Sequence, residues 1–357
     1  MGQTESKSDI VDICEPETLL KSPAVSVLIL TYNHEKYISR AIEGAISQQC
    51  SFPIEIVIAE DCSTDRTIII AKAYQRMRPD IIRIITGSAN VGIYANLKRG
   101  VEFCRAPYVA FCEGDDYWVD SRKLDIQINS LRSSGGIEIS FHSTFFLKES
   151  EGFERGPYLR ASSRSCVVAE ERVLREGGSF MPTASIIVST KVLRGLPSWI
   201  EHAGGAIDVY VQAYASRGKG AIYIDRPMSV YRREVPGSWA TLQNADLVRQ
   251  IDFKFRRLRS LSAMKSDFKN QSRAINALIF SESIEAIRII RRLYANEAAI
   301  RAKETVDSYV DNMNMMHRFL AKISRMPVIG HVYIFYFIWS RKIIRIMRKI
   351  LINMKIV

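Results

Sequence analysis

The run Cys112-Glu113-Gly114-Asp115-Asp116-Tyr117-Trp118 crowds the carboxylates of Glu113, Asp115 and Asp116 into one short stretch. Like charges this close raise one another's pKa unless a cation offsets them. Clustered carboxylate oxygens are the donors that Mg²⁺ and Mn²⁺ prefer, so one reading is a divalent-metal site. The other is a solvated acidic turn, for which Gly-Asp-Asp is good chemistry as well. Similar polar groups stand at Thr31-Tyr32-Asn33, at Glu60-Asp61 and at Asp208.

A regular pattern of elements surrounds these groups. Val25 to Leu30 is a continuous apolar run, as expected of a central strand in a parallel sheet. A helix follows over 35–48, with Ile38, Ile42, Ala45 and Ile46 on one face and Asn33 as a candidate N-cap. Ile54 to Ala59 is a second strand. Asp65 then opens a helix that runs to Arg78, before Pro79. Ile81 to Ile85 is a third strand, and Asn90-Val91-Gly92 leads into a helix ending near Cys104. Tyr108 to Cys112 is the fourth strand and carries the acidic run.

This β-α-β-α-β-α-β order predicts a mostly parallel sheet with helices on both faces. Strand C-termini then share one edge. Thr31 and Asn33, Glu60 and Asp61, and Glu113, Asp115 and Asp116 all follow strand ends, so they converge on one crevice. Treating each loop separately leaves that recurrence unexplained.

Beyond Trp118 the spacing predicts a helix over 121–133, a strand over 137–147, a loop over 148–164 and an apolar run from Ala184 to Val188. Gly204-Gly205-Ala206-Ile207-Asp208 opens a helix to Ser216, and Ala221 to Ile224 is a strand. From residue 241 the character changes to long, basic helices. Residues 1–23 are polar and aperiodic, as expected of a mobile leader.

The chain has 357 residues, enough for one large or two modest domains, and a formal charge of +12. That charge suggests an anionic partner: nucleotide phosphates, nucleic acid or a membrane surface. The cations gather toward the C-terminus and no nucleic-acid motif accompanies them, which counts against nucleic acid. Residues 327–339 are almost wholly apolar and aromatic, and too short for a span, which needs about 20 residues. The following segment sets Ile343, Ile346, Met347 and Ile350 on one face and Arg and Lys on the other. That arrangement suits an anionic membrane surface or docking on a partner chain. The six cysteines are scattered, with no C-x-x-C pair, so neither a disulfide framework nor a zinc site is indicated. A reduced cytosol fits, and no signal peptide is visible. Met1-Gly2-Gln3-Thr4-Glu5-Ser6 matches the myristoylation pattern in form only.

Four ordered motifs carry a resemblance. Ser26-Val27-Leu28-Ile29-Leu30-Thr31-Tyr32-Asn33, Glu60-Asp61-Cys62-Ser63-Thr64-Asp65, Asn90-Val91-Gly92 and Glu113-Gly114-Asp115-Asp116-Tyr117-Trp118 together resemble the inverting family 2 glycosyltransferases, bacterial type. Asp208, Tyr231-Arg232 and Gly237-Ser238-Trp239 are similar to the later section of that domain. The resemblance covers 24–240 and implies an α/β, Rossmann-like GT-A domain there; residues 241–357 carry no family motif, and their spacing and charge give a helical region with a membrane-associating end. It implies a nucleotide-sugar donor, foremost a UDP-sugar, and Mg²⁺ or Mn²⁺. It further implies a glycan or lipid-linked acceptor and cell-surface polysaccharide synthesis, and the basic, apolar C-terminus would hold the chain at the cytoplasmic membrane face. Homo-oligomers remain open.

By the same resemblance Thr31 and Asn33 line the nucleotide pocket, with Tyr32 beside the base. Asp61, with Glu60 as its neighbour, accepts a hydrogen bond from the base. Asp115 ligates the metal. Glu113 joins it, or holds the ribose or a metal-bound water, as Asp116 does in the alternative. Asp208 is the general base, with His202 a nearby alternative. Two departures stand out: Glu113 replaces the first Asp of D-x-D, and Leu97 takes the place of a phosphate-binding Arg, next to Lys98 and Arg99. Arg232 and Arg233 either meet the diphosphate or form a solvated basic turn.

Two other classes compete. A nucleotidyltransferase uses a related sheet but opens with a Gly-rich loop, where this chain has Thr31-Tyr32-Asn33-His34. A non-catalytic membrane scaffold predicts loss of the acids, and Asp115, Asp116 and Asp208 are all present.

Overall fold

The computed structural model of the chain describes residues 9–203 and 207–294. Its strands are β1 (Val11–Ile13), β2 (Val25–Thr31), β3 (Ile54–Glu60), β4 (Ile82–Thr86), β5 (Tyr108–Glu113), β6 (Tyr117–Trp118), β7 (Ile139–His142), β8 (Thr144–Lys148), β9 (Glu154–Tyr158), β10 (Cys166–Val168), β11 (Ile187–Ser189), β12 (Ala221–Ile224) and β13 (Ser229–Arg233). The helices before the change of character are α1 (Ile38–Ile46), α2 (Thr67–Met77), α3 (Ile93–Phe103), α4 (Lys123–Arg132), α5 (Glu170–Glu176), α6 (Thr190–Arg194) and α7 (Asp208–Ala215). After it come α8 (Trp239–Ala245), α9 (Leu247–Met264) and α10 (Ser272–Tyr294).

Nine strands form one sheet in the order β1-β4-β3-β2-β5-β11-β7-β12-β10. The four expected strands, β2 to β5, are parallel. Beyond β5 the sheet is mixed, because β11 runs antiparallel to both β5 and β7. Alternation along β2 explains its burial on both faces. Val25, Val27 and Ile29 pack with Ile38 and Ile42 of α1 and with Leu124 and Ile128 of α4. Leu28 points to the other face, where a side chain at Gly100 of α3 would come within 2.6 Å of it.

Four expectations need correction. Val11–Ile13 of the supposed leader is an edge strand on β4, and Leu19 is buried. Asn33 is not a helix cap: it sits at φ +56°, and α1 begins at Ile38. The strand expected over 137–147 breaks at Ser143, so β7 joins the large sheet while β8 joins a second sheet, β6-β13-β8-β9. The loop expected over 148–164 contains β9, which is solvent-facing and therefore lacks the apolar alternation that marks a strand.

The chain divides into two compact units. The first comprises residues to Leu242 together with Ser260–Leu278. Within it Tyr214 hydrogen-bonds Asp267 and packs edge-on against Phe268 at 5.2 Å. The second holds Gln243–Arg259 and the chain from Ile279 on. There Glu282 pairs with Lys254 at 2.6 Å and with Arg257 at 3.0 Å. The leader's first residues, Gly204-Gly205-Ala206 and the basic, apolar segment after 326 lie outside the described residues. Among the described residues no helix is long and apolar enough to cross a membrane.

Candidate active site

Register brings the polar strand ends together. Thr31 is the Cα partner of Glu60, and Leu30 that of Glu113. The loops leaving the strands are stitched by backbone: Asp61 N–H donates to Thr31 O at 3.0 Å and Gly114 N–H to Leu30 O at 2.8 Å. Gly114 has no room for a side chain. A Cβ there would lie 2.6 Å from Thr31 Oγ1 and 2.6 Å from His34 Nδ1.

The acids of this loop differ in environment. Glu113 is half-buried, and burial with the neighbouring Asp115 pushes its carboxyl up to about 8. The Thr183 side chain hydrogen-bonds it, and the charge of Asp208 adds to the upward push. Asp208 begins α7, far along the chain, so the charge of the expected base is felt at the expected metal ligand. Asp115 is half-buried between its neighbours. Asp116 is buried, and its carboxyl is held well above the usual range by burial, Asp115 and Glu113. Its Oδ1 accepts the Arg232 N–H at 2.8 Å, and its Oδ2 is buried without a hydrogen bond.

The second strand end is occupied by its own loops. Glu60 accepts the N–H groups of Cys62 and Ser63, at 3.2 and 2.6 Å, and the Thr86 hydroxyl at 2.7 Å. Asp61 accepts the N–H groups of Val91 at 3.0 Å and Gly92 at 2.9 Å, with Arg99 Nη2 at 3.5 Å. Burial still raises the Asp61 carboxyl above its ordinary range. Asp61 is thus the anchor of the Asn90-Val91-Gly92 loop. After the neighbouring strand β2, Asn33 anchors a loop in the same way, its Oδ1 accepting the Thr64 N–H at 2.8 Å. Tyr32 is 41% exposed, which leaves a ring face open at the crevice.

The cations resolve clearly. Arg99 is buried and donates to Glu60 O at 2.9 Å and to Asn96 Oδ1 at 2.7 Å, so it is committed inside the fold. Lys98 is exposed, as are His202 and Arg233. Arg232 is no solvated turn residue: it lies on β13, pairs with Glu149 at 2.8 Å and stacks over Tyr37 and Tyr117 at 5.1 and 4.9 Å.

Three residues at the acids had no assigned role. His34 lies beside Thr31 Oγ1 at 3.3 Å; burial lowers its pKa, against the pull of Asp115 and Asp65. Tyr231 faces Asp116, Glu113 and Asp115, and burial with their charge raises its phenol. Thr183 is the hydrogen-bonding neighbour of Glu113. His34 was within reach of sequence reasoning, because it directly follows Thr31-Tyr32-Asn33. Thr183 carried no signal.

The donor set fits a hard divalent cation. It offers carboxylate oxygens whose mutual repulsion a cation would relieve. Among the described residues no group of three or more His, Cys, Asp or Glu is arranged to hold an ion alone. Mg²⁺ is commonly held by one or two carboxylates, with substrate phosphates and water completing the shell.

Comparison with known proteins adds the following. Residues 26–139 match the family model for glycosyl transferase family 2. An uncharacterised protein of Mycobacterium tuberculosis is 32% identical over 217 residues, covering 60% of this chain and 60% of that protein. An uncharacterised glycosyltransferase of Nostoc is 28% identical over 205 residues, covering 55% of this chain and 61% of that one. The chain therefore spans about three-fifths of the length of these relatives. The crystal structure of Staphylococcus aureus TarS 1–349 in complex with UDP superposes with a TM-score of 0.52 at 14% identity, covering 85% of this chain and 81% of that one. At that identity the likeness concerns the fold.

Proposed function

Because this chain carries a family 2 glycosyltransferase domain of the GT-A fold, we propose that it transfers a sugar, with inversion, from a nucleoside-diphosphate sugar to a glycan or lipid-linked acceptor. The observation that carries the proposal is that the charges of Asp115 and of Asp208, at the start of α7, both act on Glu113 at the end of β5. UDP-sugars are the first donors to test, since the structural neighbour holds UDP.

Glu113 and Asp115 would hold Mg²⁺ or Mn²⁺, which supplies Lewis-acid relief of the charge on the departing diphosphate when bound. Thr31, Tyr32 and Asn33 flank the donor's nucleoside, and Asp61 with Glu60 shapes that wall through the 90–92 loop. Lys98 is the exposed cation available to a phosphate on α3. Asp208 takes the proton of the acceptor hydroxyl as that oxygen attacks the anomeric carbon. A single displacement inverts the centre, and no covalent intermediate is needed. The basic, apolar residues 327–351 extend the proposal to an anionic membrane surface, where lipid-linked acceptors reside.

The test is nucleoside-diphosphate release across a panel of donors, with and without Mn²⁺ or Mg²⁺, on the parent chain and Asp115→Ala. Metal-dependent release that disappears in the variant supports the proposal. No release with any donor, and no nucleotide binding by calorimetry, overturns it.

A further inference from the structure

Beside the acid loop, the turn Thr183–Ser185 and the residue after it have three successive carbonyls fastened by three different elements. Ala184 O accepts the Trp118 indole N–H at 2.9 Å. Ser185 O accepts the Gln127 amide N–H at 2.9 Å. Ile186 O accepts the Phe111 backbone N–H at 3.1 Å. The turn also closes on itself, Ser185 Oγ donating to Pro182 O at 2.6 Å. The residue held at the head of this turn is Thr183, whose side chain meets Glu113.

The two side-chain donors are unusual for an interior. Gln127 is 0% exposed and Trp118 5% exposed. Gln127 also reaches Ser140 Oγ at 3.1 Å, while its own Oε1 is buried without a hydrogen bond. One turn earlier on α4, Lys123 is fully buried with its Nζ 4.1 Å from the centre of the Trp118 ring. Burying an amide and an amine without full partners costs stability, and apolar residues of the same size would pack here at no such cost. What a polar network fixes better than an apolar core is one particular geometry. What is fixed here is the place of the 183–185 turn against β5.

We infer that Trp118 and Gln127 are positioning residues for the reaction: their N–H groups hold the 183–185 turn so that the Thr183 hydroxyl sets the orientation of the Glu113 carboxylate. Lys123 backs the indole and keeps its N–H aimed at Ala184. The inference rests on the glycosyl-transfer reading for its catalytic consequence and on the hydrogen bonds alone for the brace. A carboxylate that must face a diphosphate as charge builds on it loses rate when it can turn away, because misplacement is felt in the transition state.

The experiment uses the full chain with Trp118→Phe, Gln127→Met, Thr183→Val and the double variant Trp118→Phe/Thr183→Val. Hydrogen exchange over residues 182–187 needs no donor. We expect faster exchange there in Trp118→Phe and in Gln127→Met, with the rest of the β5 region as protected as in the parent. Parent-like exchange in both variants overturns the brace, whatever their activity. Steady-state release of nucleoside diphosphate then tests the link to Glu113. We expect kcat to fall about tenfold in each single variant, with donor KM nearly unchanged, and the double variant to be no worse than its worse parent. Multiplying losses, or full kcat in Thr183→Val, overturn the link. If Trp118→Phe fails to fold, Gln127→Met and Thr183→Val decide the same two questions. A parent chain silent with every donor fails the glycosyl-transfer reading instead, and the exchange result still stands for the brace.

Discussion

Asp116 is tied to Arg232 through the backbone: its Oδ1 accepts the Arg232 N–H at 2.8 Å, which fastens the acid loop to β13. Burial, Asp115 and Glu113 hold its carboxyl well above the usual range. Asp116→Asn keeps the accepting oxygen and removes only the charge. We expect this variant to bind nucleotide like the parent. Asp116→Ala removes the acceptor and leaves a buried N–H unpaired, which costs about 1–3 kcal/mol of unfolding free energy. Urea titration measures the second effect and calorimetry the first. Loss of nucleotide binding in Asp116→Asn would return this acid to the donor site.

Asp208 is the expected base. It opens α7 and acts on Glu113 by charge. If it is the base, Asp208→Asn keeps the shape and removes proton acceptance. Transfer should fall about 10²- to 10⁴-fold while donor affinity stays within a few-fold. Single-turnover transfer and calorimetric donor titration separate the two. Unchanged transfer would move the base elsewhere, and exposed His202 is the next candidate.

Arg232 offers a test between stack and phosphate contact. Its guanidinium lies over Tyr37 and Tyr117, while Arg40 lies over Tyr117 at 3.8 Å and pairs with Glu154 at 3.6 Å. These contacts clamp α1, the acid loop and the β8–β9 hairpin together. Arg232→Lys keeps the charge and loses the planar stack. Stability should fall by about 1 kcal/mol, with donor KM unmoved. A rise of tenfold or more in donor KM, with stability intact, would show that the guanidinium serves the diphosphate.

Much of this was legible because parallel strands buried on both faces are written as unbroken apolar runs. Val25 to Leu30 and Tyr108 to Cys112 announced themselves, and their polar ends marked the crevice edge. What failed to show depends on partners distant in sequence. Asp61 reads as a ligand contact, and its second role, accepting the N–H groups of Val91 and Gly92, leaves no trace in the sequence. Thr183 is an ordinary threonine until the turn brings it to Glu113. β9 is exposed along its length, so no periodicity records it.

Lys123 provides the pH test. Burial drives its amine down to about 7, from an unfolded value of about 10.4. Between those values the unfolded chain holds the extra proton, so this group adds stability as pH rises from 7 towards 10 and is wholly unfavourable below 7. Cys112 and His142 face it; burial pushes the thiol up and the imidazole down, so neither titrates near pH 7 to 8. Glu113 acts with the opposite sign, because a carboxyl raised to about 8 loses its stabilising protonated form as pH rises through 8. Comparing the parent with Lys123→Met removes the Glu113 contribution. The variant should be the more stable chain at pH 6, and its advantage should shrink by up to about 1.4 kcal/mol per pH unit above pH 7. Urea midpoints at pH 6, 7, 8 and 9 measure this. A difference that does not change with pH would mean that the amine keeps its ordinary pKa despite its burial against Trp118.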